Sequence, residues 1–126
     1  MNLVDSCAWL EFFADGPNAA FFARPIEDIP RLLVPTICIS EVFRAVLRQR
    51  GERAALQAVT QMQQGHVADL DTSIAINAAR IGADLKLPLA DSIILATASA
   101  HRALVWTQDA HFKGIPGVKY KEKQTK

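Results

Sequence analysis

The chain has no apolar run approaching the roughly 18–20 residues of a membrane-spanning helix, and its start, Met-Asn-Leu-Val-Asp, has no basic region followed by such a run. Neither a signal peptide nor a membrane span is expected, and the expected compartment is the cytoplasm. Cysteine is scarce: Cys7 and Cys38 are the only two, with no C-x-x-C pair and no histidine partner at zinc spacing. In a reducing compartment both read as small buried hydrophobes, not as a disulfide or a metal-thiolate site. An excess of one charge is lacking too. With 14 Lys plus Arg against 13 Asp plus Glu, the formal net charge is +1, so no overall basic field advertises nucleic acid. A polyanionic substrate would have to be attracted by local charge or through a metal. Low-complexity tracts and internal repeats are also missing.

What remains is globular in composition, 50% hydrophobic and 21% charged over 126 residues. That length suits one domain able to bury roughly two thirds of its unfolded surface. The domain is expected over 1–120, with 121–126 as a lysine-rich C-terminal tail that frays. Asn2-Leu3-Val4 reads as a buried, central parallel strand, followed by a helix from Ser6 to Phe13 that stops near Gly16-Pro17. Asn18 to Arg24 reads as helix, Pro25 to Pro30 as a turn, and Arg31 to Pro35 as the second strand. Thr36 is placed as the cap of a helix running to Arg50, with Ile39, Val42, Phe43, Val46 and Leu47 as its apolar stripe. Gly51 separates this from a helix over Glu52 to Gln64. His66 to Leu70 alternates as an edge strand, and Asp71 caps a helix carrying Ile74, Ala78, Ile81 and Leu85. Ala103 to Thr107 and the region of Val118 to Tyr120 complete the strands.

The stretch from Leu87 to His101 is apolar nearly all round and reads as a buried helix, with Pro88 in its first turn. Asp91 then lies in that first turn with Leu95 and Ala98 on its face. An unpaired acid there is expensive. Interaction with the helix dipole is its ordinary explanation, at about 0.3–1 kcal/mol. The sharper one is that Asp91 binds a cation together with other acids.

Three others are candidates, each with an ordinary role beside it. Asp5 follows the first strand and could simply cap a helix. Glu41 lies off the apolar stripe and could pair in solvent with Arg44 and Arg48. Asp109 follows the fourth strand, and His111, two residues on, reads as solvated. Strands alternating with helices imply an α/β fold around a mostly parallel sheet of four to five strands, whose ligands bind at the carboxyl ends of the strands. Four acids at that edge repel unless a divalent cation sits among them. Oxygen ligands without a histidine or cysteine alongside select Mg²⁺ or Mn²⁺, whose bound water can attack a phosphodiester.

Val-Asp-Ser at Val4–Ser6, Ser-Glu-Val at Ser40–Val42, Leu-Ala-Asp-Ser-Ile-Ile-Leu-Ala-Thr-Ala at Leu89–Ala98 and Thr-Gln-Asp-Ala-His-Phe at Thr107–Phe112 resemble the four acidic motifs of PIN-domain ribonucleases. The toxins of bacterial toxin–antitoxin pairs are the branch they look most like. The resemblance runs from Leu3 to about Val118 and implies a three-layer PIN-like fold. It implies that Asp5, Glu41, Asp91 and Asp109 are the catalytic, metal-binding acids and that Ser6 and Thr107 support them. It further implies an Mg²⁺- or Mn²⁺-dependent endoribonuclease, a homodimer, and an antitoxin whose tail covers the site near Trp9, Phe12, Phe13, Phe21 and Phe22. Gln108 stands where many relatives carry a basic residue, and Trp106 is bulky for its position.

Arg44, Arg48 and Lys113 are the candidate RNA contacts. A receiver domain would need an acidic pair after the first strand and a lysine after the last crossover; an Asp-x-Asp phosphatase would need a second aspartate at Cys7. Neither pattern is present. The remaining alternative is a catalytically silent PIN-like module that acts by binding RNA or a partner.

Overall fold

Leu3 and Val4 are fully buried, and the strand they form, β1 (Asn2–Val4), lies in the middle of a five-stranded sheet. The computed structural model describes residues 1–125. After β1 the chain forms α1 (Ser6–Phe13), α2 (Ala19–Glu27), β2 (Leu32–Pro35), α3 (Thr36–Arg50), α4 (Glu52–Met62), β3 (His66–Ala68), α5 (Thr72–Leu85), α6 (Leu89–Ala100), β4 (Leu104–Thr107) and β5 (Val118–Tyr120). Single 3₁₀ turns at Ile29–Arg31 and Ala110–Phe112 precede β2 and follow β4. The order is β3-β2-β1-β4-β5, with every pairing parallel. This is the expected α/β architecture, a central parallel sheet flanked by helices. Among the described residues no helix is long and apolar enough to cross a membrane.

The strand order reverses at β1. The chain proceeds from β1 to β2 and β3 on one side, then returns to lay β4 and β5 on the other. A crevice therefore opens at the carboxyl ends of β1 and β4, the usual place for a ligand in such a sheet. Asp5 follows β1 directly, and Asp109 lies two residues beyond β4.

The main core is built around Trp9, Phe22, Met62 and Phe112, all fully buried, together with the strand residues. A smaller cluster of Ile74, Ala78, Ile93 and Ala96 joins α5 to α6. The two helices come close because Gly82 has no side chain: a Cβ there would lie 2.8 Å from Ser92 Oγ. Ser92 follows Asp91, so this contact helps set where Asp91 stands.

Four local expectations are corrected. Pro25 lies inside α2 and does not end it, because Phe22, Pro25 and Ile26 form one buried i, i+3, i+4 stripe near the end of the helix. Pro35, not Thr36, occupies the cap position of α3, and Thr36 is already helical. Pro88 likewise takes the cap position of α6, and Leu89 is 74% exposed; the helix is buried through Ser92–Ala98 and not from its start. The tail does not fray from Lys121. The Lys121 N–H donates to the Thr107 carbonyl at 3.0 Å, and Asn18 Nδ2 donates to the Glu122 carbonyl at 2.9 Å. Lys126 of the expected tail lies outside the described residues.

Candidate metal centre at the carboxyl edge of the sheet

Asp5 is 4% exposed and every part of it is engaged. Its backbone extends the β1–β4 pairing by donating to the Trp106 carbonyl at 3.0 Å. One carboxylate oxygen, Oδ1, accepts the Ser6 N–H at 2.8 Å and so caps α1. The other, Oδ2, accepts the Thr107 hydroxyl at 2.8 Å. That same hydroxyl oxygen accepts the Asp109 N–H at 3.0 Å. Thr107, itself fully buried, thus ties the acid after β1 to the loop carrying the acid after β4.

Asp91 enters from the first turn of α6, and its Oδ2 lies 2.8 Å from His111 Nδ1. The same ring nitrogen is 3.4 Å from Asp109 Oδ1. Asp109 caps its 3₁₀ turn by accepting the His111 N–H at 2.9 Å. Glu41, half-buried one turn into α3, approaches Asp5 from the other side. Ligand atoms of Asp5, Glu41 and Cys38 lie within 4.8 Å of one another, as do those of Asp91, Asp109 and His111.

The electrostatics record the crowding. Burial, above all, raises the carboxyl of Asp5, opposed by its hydrogen bonds from Thr107, Ser6 and Cys7 and reinforced by the charge of Asp91. Glu41 is raised by burial and by the charges of Asp5, Asp91 and Asp109, while the Ser6 side chain favours its charged form. Asp91 is raised by burial and by Asp109, with His111 acting the other way. His111 is raised in turn by its bond to Asp91 and by both aspartates. Carboxylates raised first by burial and then by one another's charge are a set that a bound cation relieves. The oxygen donors suit a divalent ion.

All four sequence-predicted acids therefore stand at one edge, with Ser6 and Thr107 against Asp5. Two premises change. The histidine read as solvated is bonded to Asp91, because the Asp109 turn folds back over the start of α6. The cysteines also lie beside the acids: Cys7 Sγ is 3.5 Å from Asp5 Oδ2 and 3.3 Å from Thr107 Oγ1, and Cys38 is fully buried. Both thiols remain protonated, Cys7 pushed up to about 12 and Cys38 well above its ordinary value, each chiefly by burial.

Arg44 and Arg48 on α3 and Lys113 after the 3₁₀ turn are exposed, and none forms an ion pair among the described residues. Glu41 consequently has no arginine partner. Of the aromatic residues expected to seat a partner, Trp9 and Phe22 are fully buried and Phe12, Phe13 and Phe21 are half-buried against the core. Phe13 also lines a cleft of about 470 Å³ between α1, α3 and α4, whose lining includes Cys7, Gln108 and Lys123. Gln108 is held by Asn18 Nδ2 at 3.0 Å, and Trp106 Nε1 donates to Asn2 Oδ1 at 2.9 Å. Both are occupied by the fold.

A parallel sheet with acids gathered at its topological switch defines a class before it defines a protein. The model of the PIN domain family matches residues 3–118, and the chain belongs to that family. Among solved structures, it is similar to a toxin–antitoxin complex from Klebsiella pneumoniae, with 28% identity and a TM-score of 0.78 over 94% of this chain and 96% of that one. DNA-bound VapBC from Salmonella typhimurium shares 20% identity at a TM-score of 0.74, covering 97% of this chain and 98% of that one. VapC20 of Mycobacterium tuberculosis, a toxin that cleaves the sarcin-ricin loop, shares 14% identity at a TM-score of 0.75, covering 92% and 95%. The latter two likenesses speak for the fold alone. No curated protein matches the chain in sequence.

Proposed function

We propose that this protein is a divalent-metal-dependent endoribonuclease and the toxin of a toxin–antitoxin pair, with Mg²⁺ or Mn²⁺ held by Asp5, Glu41, Asp91 and Asp109. The observation that carries the reading is the convergence of these four acids, from four separate elements, at the switch point of the sheet. A cation held there would polarise a bound water toward attack and neutralise charge on a phosphodiester. The chain's own groups prepare the site. Ser6 N–H and the Thr107 hydroxyl fix the two oxygens of Asp5, and Thr107 sets the Asp109 loop beside it. Arg44, Arg48 and Lys113 would bind flanking phosphates, making RNA affinity salt-dependent.

The similarity to the Klebsiella toxin–antitoxin complex supports an antitoxin partner. Its segment would lie in the cleft between α1, α3 and α4, where Leu10, Phe13, Val46 and Ala58 offer apolar contact. Cys7 is among the residues lining that cleft and lies 3.5 Å from Asp5 Oδ2, so a peptide seated there would lie next to the acid edge. The protein would act in the cytoplasm as a homodimer, its nuclease domain spanning 1–120. The test is cleavage of a mixed RNA pool by antitoxin-free protein with Mg²⁺ or Mn²⁺, with EDTA, and with Asp91→Asn. Cleavage lost in both controls is the expected result. Folded protein that binds a partner but cleaves no RNA under any metal would replace this reading with a silent binding module.

A further inference from the structure

We propose that His111 is a direct nitrogen ligand of the bound cation, and that it biases the site toward first-row transition ions and against Mg²⁺. The inference rests on the metal-dependent reading above, and it removes the premise that the donor set is oxygen alone.

The geometry is that of a ligand. His111 Nδ1 is 2.8 Å from Asp91 Oδ2 and 3.4 Å from Asp109 Oδ1, so one ring nitrogen faces two carboxylates from different elements. Asp91, Asp109 and His111 each offer one ligand atom, and these atoms lie within 4.8 Å of one another, close enough to share one ion. The Nδ1–H hydrogen bond to Asp91 itself holds the ring in this orientation; a bound cation would displace that proton and use the same nitrogen. His111 is also held at both ends of its turn: its N–H is bonded to Asp109 Oδ1 at 2.9 Å, and the next residue, Phe112, is fully buried. The His111 side chain is 57% exposed and that of Asp91 13% exposed, so the imidazole is the more solvent-facing of the pair.

The chemistry follows from donor type. Mg²⁺ prefers oxygen and gives up its waters reluctantly, whereas imidazole suits transition ions, with affinity rising from Mn²⁺ to Co²⁺. One nitrogen among carboxylates therefore adds more for Co²⁺ and Mn²⁺ than for Mg²⁺. A histidine that merely oriented Asp91 would help every ion alike.

The experiment uses Mn²⁺, Co²⁺ and Mg²⁺ alone, without RNA. Electron spin-echo spectra of the Mn²⁺-loaded protein should show modulation from a directly bound ¹⁴N, absent in His111→Gln and retained in His66→Gln. Calorimetry should show Co²⁺ and Mn²⁺ affinity falling about tenfold or more in His111→Gln, the scale of loss when metal-site partners are removed, with Mg²⁺ affinity little changed. Mn²⁺ bound in an Asp5-dependent way but without nitrogen modulation, or equal losses for all three ions, overturns the ligand role and leaves the nuclease reading standing. Failure of every ion to bind overturns both. The wild-type spectrum decides the matter even if the variant does not fold.

Discussion

Two aspartates begin helices in this protein in nearly the same way. Asp5 caps α1 through the Ser6 N–H, and Asp71 caps α5 through the Ile74 N–H, each at 2.8 Å. Asp71 is exposed and its carboxylate has no further partner among the described residues, whereas Asp5 is buried against Thr107 and raised by burial and by Asp91. The same residue in the same local role is a cap in one place and a candidate metal ligand in the other. The difference lies in what the sheet brings to it. Asp5 stands at the switch between β1 and β4, while Asp71 follows the edge strand β3.

Exchanging the charge of Asp5 for an amide of similar size is the strongest test of that contrast. Asp5→Asn should lower RNA cleavage by more than about 100-fold, since even changing the partners of metal ligands costs about 10–100-fold. Its melting temperature should change little, because removal of a buried, repelled carboxylate offsets the loss of one of the two oxygens that accept the Ser6 N–H and the Thr107 hydroxyl. A melting temperature well below wild type would mean that Asp5 is chiefly structural, as Asp71 is. Thr107→Val asks how much of the site depends on the hydroxyl that links Asp5 to the Asp109 loop. The expected loss is about 10–100-fold in metal affinity, read by calorimetry. A stability cost of about 1–3 kcal/mol should accompany it, because the Asp109 N–H loses its acceptor.

The pH dependence of stability separates the two regions without mutation. Asp5, Glu41, Asp91 and His111 all bind protons more tightly in the folded chain than their ordinary values of 3.8, 4.5, 3.8 and 6.5 imply. Their contribution is therefore complete below those values and is lost as pH rises through the raised ones. In EDTA the melting temperature should fall from mildly acidic to mildly alkaline pH, and added Mn²⁺ should abolish the fall. A flat profile in EDTA would contradict the charge crowding. The smallest effect belongs to Asp71→Ala, expected to cost about 1 kcal/mol in denaturant unfolding and to leave RNA cleavage unchanged.

Much of the fold was legible because its signals are local. Leu3 and Val4 announced a buried strand, and Asp71 announced a cap. Gly51, with φ of 88°, divides α3 from α4 as a residue without a side chain readily does. Elsewhere packing outweighs the local rule. Pro25 stays helical because the stripe it shares with Phe22 and Ile26 is buried, and Lys121–Glu122 are tied to Thr107 and Asn18, both distant in sequence. For the site, the motif positions marked the acids together with Ser6 and Thr107, but not the histidine and cysteines that also lie beside them. His111 was read by its neighbours in the chain, and the partner that matters, Asp91, is 20 residues away.

By itself the sequence determined the alternation of strands and helices, and with it which acids follow strands and which open helices, because hydrophobic period and capping act over a few residues. Only the tertiary structure decided that Asp5 lies beside Glu41 and Asp91 beside Asp109, that Asp71 stands apart, and that an imidazole faces two carboxylates. Those facts depend on strand order and on the packing of α3 and α6 against the sheet. Residues far apart in the chain are brought within a few ångströms by burial of apolar surface elsewhere, which no local pattern around the site records.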